Sequence, residues 1–208
     1  MVMLNHSQAH AINKLYPGRI GLMISPVRLR PTRGLPVVLD NGRFAVWSSG
    51  KEWDESQFWE MLDTVQKTDK PLWVVVPDVV GDSAGTFREW NSWAHRLHNR
   101  GIPLALAVQD GMTPTTVKEN CDPDVIFVGG TRRWKRQSLE TWCQAFPRVH
   151  CGRVNYERWL WHSEELGVES TDGTGWFRGD QNQLKGLHRY LERSSKGIGP
   201  LQQSFEFS

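Results

Sequence analysis

Cysteine is scarce, long apolar runs are missing, and neither sign of charge dominates; each shortage closes off a class of protein. The three cysteines, Cys121, Cys143 and Cys151, are odd in number and show no Cys-x-x-Cys spacing. That argues against a disulfide framework or a thiolate zinc site, and for a reducing cytoplasm. From Met1 to Ile24 no basic segment leads into a long apolar stretch, so neither a secretory signal nor a membrane span is expected. With 25 Lys and Arg against 23 Asp and Glu, the net charge is only +2. A nucleic-acid partner therefore finds no support in the global charge and needs local patches. The histidines, His150 among them, form no metal-ligand spacing and are expected in surface or packing roles, and no metal site is expected.

What is abundant is tryptophan, with 11 in 208 residues. Most are expected to pack the core and the outside of the sheet, leaving at most a few for stacking on bases. A hydrophobic content of 38% and a charged content of 23% fit one soluble globular domain spanning residues 1–208. The Ser-, Gly- and Pro-bearing tail after about residue 194 is expected to be loosely ordered.

Short apolar runs alternate with helical patterns. The runs are Ile20–Ile24, Leu35–Leu39, Leu72–Val76, Leu104–Val108, Val125–Val128, Arg148–Cys151 and Val168–Ser170. Several lack polar alternation, as parallel strands covered on both faces do. Between them, Asp54 caps a helix with Phe58, Met61, Leu62 and Val65 on one face. A second helix starts near Ser83 and stops at Gly101, Thr113-Pro114 opens a third, and Ser138 a fourth. Further helices carry Tyr156, Trp159 and Leu160, and Leu184, Leu187 and Leu191. Repeated strand-then-helix order predicts a parallel sheet covered by helices, which a doubly wound sheet and a barrel both satisfy; about seven strands, near the eight of a closed barrel, favour a compact (β/α)8 TIM barrel trimmed below the ~250 residues usual for that fold.

Polar residues fall where those strands end. The runs stop at Asp40, at Asp78, at Gln109-Asp110-Gly111, at Gly129-Gly130, at Gly152-Arg153 and at Asp172-Gly173. In parallel α/β folds the carboxyl ends of the strands form the active site, so these residues would meet at one mouth. A single Asp after a strand is equally a helix cap. Several carboxylates on one rim suit glycosyl chemistry, with one attacking an anomeric carbon and another moving protons. They also suit a metal-dependent hydrolase of nucleotide-type substrates, because hard cations take oxygen ligands.

At these residues the sequence resembles the tRNA-guanine transglycosylase superfamily, and more closely its short phage-type 7-deazaguanine DNA transglycosylase-like members. Leu39-Asp40-Asn41-Gly42-Arg43-Phe44 is similar to a segment whose Asp is the general acid/base. Pro77-Asp78 matches an Asp that reads the guanine edge. Val108-Gln109-Asp110-Gly111 matches a Val-Gln-Gly-Gly whose Gln contacts the base, and Gly129-Gly130 a turn whose backbone faces it. Gly152 matches a glycine near the ribose-phosphate, and Asp172 stands at the position of the nucleophile. The likeness runs from about Leu35 to Arg178. Asn41 and Arg43 depart from the pattern, and the zinc subdomain of the tRNA enzymes is absent because no cysteine follows Cys151.

The resemblance implies base exchange: guanine in DNA, or in tRNA, replaced by a free 7-deazaguanine such as preQ0, without a cofactor. It would take place in the cytoplasm, that of the host for a phage-encoded chain. Asp172 would attack C1′ and Asp40 would shuttle the proton, with Gly173 and Gly175 leaving room for the sugar. Asp78, Gln109, Gly129 and Gly130 would read the base, with Asn41 beside them and Phe44 and Cys151 on its two faces. Arg132, Arg133, Lys135 and Arg136 surround Trp134 and suit either a phosphate track or a solvated helix start; Arg153 and Arg178 are further phosphate candidates. A non-catalytic nucleic-acid-binding barrel is the remaining alternative.

Overall fold

The computed structural model describes residues 1–178 and 181–200. Eight parallel strands each pair with the next, and the last closes on the first. They are β1 (Val2–Leu4), β2 (Ile20–Ile24), β3 (Val37–Leu39), β4 (Val74–Val75), β5 (Leu104–Val108), β6 (Val125–Val128), β7 (Val149–Cys151) and β8 (Ser170–Asp172). Around them lie α1 (Ala9–Leu15), α2 (Arg43–Ser48), α3 (Glu55–Gln66), α4 (Ser83–His98), α5 (Pro114–Asn120), α6 (Arg132–Ala145), α7 (Glu157–Glu165) and α8 (Gln181–Ser195). This is a compact (β/α)8 barrel. It is trimmed where β2 passes to β3 without a helix, through a loop turned by Arg33 and Gly34 at positive φ. Among the described residues no helix is long and apolar enough to cross a membrane. The tail at 201–208 lies outside the described residues.

Capping chemistry sets the helix starts. The Asp54 carboxylate accepts from the Ser56 and Gln57 N–H groups, and the Thr113 hydroxyl accepts from Thr116 N with Pro114 in the first turn. β3, β4 and β7 are shorter than the apolar runs that contain them, and three further elements differ from expectation. The helix expected from Ser138 begins at Arg132, because the Thr131 hydroxyl takes the Trp134 N–H and draws the basic run into the first turns of α6. The last strand is Ser170–Asp172, not Val168–Ser170; Asp172 is a strand residue opposite Met3. The eighth strand, Val2–Leu4, is too short to show a period.

Strand periodicity divides the core in two. One set of side chains faces the helices and joins Leu62, Leu97, Leu139 and Leu187. The other fills the barrel with Met3, Met23, Val38, Trp73, Val75, Ala105, Ala107 and Val125, with Phe127 above them. Most tryptophans are packing residues, as expected: Trp73, Trp142 and Trp176 are fully buried, and Trp93 of α4 stacks on Trp59 of α3 and meets Trp53 edge-on. Trp47 is the exception, 60% exposed.

Candidate active site

The inward face of each strand, continued by two residues, reaches the mouth. Val38 leads to Asp40, His150 to Gly152, and Ser170 to Asp172. Asp40 extends the sheet, its N–H bonded to Ile24 O at 2.8 Å. Its carboxylate faces the N–H groups of Asn41 and Gly42, and Gly42 takes φ 78 to turn the chain into α2. Burial, then repulsion from Asp172 and Asp78, raises the Asp40 pKa to about 7, against those two hydrogen bonds. Burial also raises Asp78, opposed by its hydrogen bond from Asn41 and by the Arg43 charge.

Asp172 is held from below. Its Oδ1 accepts from His150 Nε2 at 3.1 Å and from the Arg153 N–H at 3.1 Å. His150 is fully buried, stacked on Phe127 at 4.7 Å and edge-on to Trp73 at 4.9 Å, and its Nδ1 meets Ser170 Oγ at 2.8 Å. With the Ser170 hydroxyl donating to Nδ1, the ring proton sits on Nε2 and points at Asp172. Oδ1 is thereby saturated, and among the described residues no hydrogen bond reaches Oδ2.

Other expected site residues have different tasks. The Gln109 amide does not face the mouth's centre: Nε2 donates to Val79 O, Asp82 O and Thr86 Oγ1, and Oε1 accepts from Gly81 N. It braces the loop that follows Asp78. Asn41 is buried, bonding Val76 O and Asp78 Oδ1 through Nδ2 and the Arg43 N–H through Oδ1, so it positions Asp78. The Gly129 N–H bonds Val108 O, and the Gly130 carbonyl accepts from Arg153. A side chain at Gly130 would strike Asp110, whose carboxylate holds Thr131. That glycine pair serves the turn itself. The register turns Cys151 outward, away from any base in the barrel, and burial pushes its thiol up to about 12. Gly173 and Gly175 make room for Val154 and Asn155, not for a sugar.

Gly152 does leave space at the mouth, where a Cβ would meet Phe127 and Asp172. Phe44 is exposed on α2, and the Arg153 guanidinium lies 4.7 Å from its ring. β3 and β7 stand on opposite sides of the barrel, so this contact spans the opening. Arg132 and Lys135 at the start of α6 line one cavity with Arg153; of these only Lys135 is buried, and Arg133, Arg136 and Arg178 are exposed, with the Arg136 guanidinium 5.8 Å from the Trp159 ring. His150, Ser170 and Phe127 are site residues that strand-end reading missed. The signal was available: His150 and Ser170 lie two positions before Gly152 and Asp172, on the same strand face. Among the described residues no group of three His, Cys, Asp or Glu side chains is placed to hold a metal ion.

No family model matches the chain, and no curated protein does. Solved structures do. A 3-hexulose-6-phosphate synthase from Salmonella typhimurium aligns at 11% identity and TM-score 0.55, over 92% of this chain and 98% of that one. A tryptophan synthase complex from Pyrococcus furiosus aligns at 11% identity and TM-score 0.56, over 95% and 98%. The chain spans 63% of a tryptophan synthase chain from M. tuberculosis, at TM-score 0.47. These neighbours are enzymes, and at such identities the likeness concerns the barrel alone.

Proposed function

We propose that this barrel exchanges guanine in nucleic acid, DNA in preference to tRNA, for a 7-deazaguanine base. One observation carries the reading. Two carboxylates share a mouth, one raised to about 7 by burial and by the other's charge, the other held by one oxygen with the second free. Such a division separates a proton carrier from a nucleophile.

In the first half-reaction Asp172 Oδ2 attacks C1′ of the target nucleoside, the C1′–N bond breaks, and protonated Asp40 gives its proton to the leaving base. In the second, Asp40 takes a proton from the incoming base, whose nitrogen attacks C1′ and releases the Asp172 carboxylate. Each group returns to its starting state. Asp78, held by Asn41, accepts from the N1–H and N2–H₂ edge of guanine. Phe44 and Phe127 offer ring faces to the base, which must leave the duplex to enter.

The test is nucleoside mass spectrometry. Purified protein is incubated with guanine-containing single-stranded DNA or tRNA and free preQ0, and the digested polymer is analysed. A deazaguanine nucleoside in the polymer, with guanine released, is the expected result. Polymer left unchanged in both cases, or turnover abolished by a chelator, would sink the proposal in favour of a binding barrel or a metal-dependent hydrolase.

A further inference from the structure

Seven of the 17 arginines of this chain stand on a carboxylate among the described residues: Arg19, Arg43, Arg88, Arg96, Arg100, Arg148 and Arg189 each have one within ion-pair distance. The cations between β6 and β7 do not. Among the described residues no carboxylate pairs with Arg132, Lys135 or Arg153. These three line a cavity of about 30 Å³ with Tyr156 and Trp159 on its wall.

Lys135 is the decisive member. It is only 6% exposed, and its ammonium makes one hydrogen bond, to the Gly152 carbonyl. An ammonium has three N–H donors, so two remain for another acceptor. Burial pulls its pKa below the usual lysine range. A buried cation with no carboxylate in ion-pair contact is costly to keep unless something restores the balance, and the Asp172 charge acts on Lys135 only from a distance. Arg132 opens α6, a helix of 14 residues whose N-terminal N–H groups add positive potential at the same place. Its guanidinium rests over the Tyr156 ring at 5.5 Å. Gly152 and Arg153 connect the cavity to the mouth: the first carries the carbonyl that Lys135 holds, the second gives its N–H to Asp172.

We propose that Arg132, Lys135 and Arg153 form a binding site for a single phosphate group, belonging to the nucleotide whose sugar faces Asp172. The assignment of that phosphate to a nucleic-acid strand rests on the exchange reading above; the site itself does not. Arg133 and Arg136, on the same helix, do not line it, although the Arg136 guanidinium lies 5.8 Å from the Trp159 ring on its wall. Three cations and a helix terminus match a group that presents several acceptor oxygens and a full negative charge.

Calorimetric titration tests this with three probes: inorganic phosphate, ribose 5-phosphate, and a single-stranded oligodeoxynucleotide with one guanine. The oligonucleotide is also made with one linkage, beside or away from the guanosine, neutralised as a methylphosphonate. Neutralising one linkage beside the guanosine should weaken binding at least ~10-fold, the worth of one charge-assisted contact. Lys135→Met should erase that position dependence, and Arg133→Met should leave it. Thermal melts check that each variant folds; if Lys135→Met does not, the Arg132→Met/Arg153→Met double variant reads the same dependence. Equal sensitivity at every linkage, or wild-type binding of all probes by Lys135→Met, would overturn the site. Lys135-dependent binding of phosphate or ribose 5-phosphate without binding of the oligonucleotide would keep the site and overturn the nucleic-acid reading.

Discussion

Two walls of one mouth are built in opposite ways. On the β3–β4 wall the groups around Asp40 have partners within the protein: Asn41 holds Asp78, Arg43 stands on Glu89 at 2.9 Å, and Glu89 also takes the Trp93 indole N–H. On the β6–β7 wall Arg132, Lys135 and Arg153 have no carboxylate within ion-pair distance among the described residues, though Lys135 is buried. Matched groups cost little to keep in place and hold their geometry; unmatched buried charge is stable only if something arrives to meet it. The first wall is therefore built to position chemistry and the second to receive a ligand. Asp172 stands between them, tied to the β7 side through His150 and the Arg153 N–H.

The most severe way to break this arrangement is to remove the free oxygen. Asp172→Asn should abolish exchange, by at least ~10,000-fold, together with any trappable covalent adduct, because bonding in the transition state is lost. Oligonucleotide affinity should change little, since the β6–β7 wall is intact. Mass spectrometry of denatured reaction mixtures reads the adduct, and an adduct that persists in this variant would move the nucleophile elsewhere.

Asp40→Asn comes next and acts on stability as well as rate. Loss of general acid catalysis should slow exchange ~100- to 10,000-fold. The folded pKa is raised from 3.8 to about 7. The stability tied to the neutral form is therefore complete at low pH and is lost as pH rises toward about 7. The Asn variant does not suffer that loss. It should match wild type near pH 4 and exceed it above pH 7, by at most roughly 4 kcal/mol. Urea denaturation at the two pH values measures this. A variant less stable than wild type at pH 8 would show that the carboxylate is matched, as on an ordinary structural wall.

The barrel and the rim were legible because both follow from local pattern: buried strands read as apolar runs, and Asp40, Asp78 and Asp172 interrupt them where the strands end. What the rim residues do was not legible. Gln109 and Gly129-Gly130 sit at the right strand ends, yet their hydrogen bonds go to Val79, Thr86, Val108 and Arg153. Hydrogen-bond partners depend on loops that meet only in three dimensions. His150 was passed over for the converse reason. A histidine one step from a strand's end looks like packing until the register places it under Asp172.

His150→Phe tests that placement. The ring stack on Phe127 can survive, but both hydrogen bonds are lost, and Asp172 Oδ1 keeps only the Arg153 N–H. A misaimed nucleophile should lower kcat by ~10- to 100-fold with KM nearly unchanged, since His150 positions a group and touches no substrate. His150→Gln, able to donate toward Asp172, should recover part of that loss. Equal defects in the two variants, or a defect confined to KM, would reduce His150 to a core residue.

The smallest effect concerns Cys151, where register and family likeness disagree. The resemblance puts this residue against the base; the strand puts its side chain on the outer face, beside Lys135. Cys151→Ala deletes one buried sulfur, and the cavity left should cost about 1 kcal/mol of stability. The exchange rate and KM for the incoming base should stay within about twofold of wild type, because no atom facing the mouth has moved. Phosphate affinity is the finer gauge. Removing the thiol leaves the Lys135 ammonium and its bond to Gly152 in place, so inorganic phosphate should bind as before. A rise in KM for the base with unchanged phosphate affinity would mean the side chain reaches into the barrel, and the division between the two walls would have to be redrawn one residue further along β7.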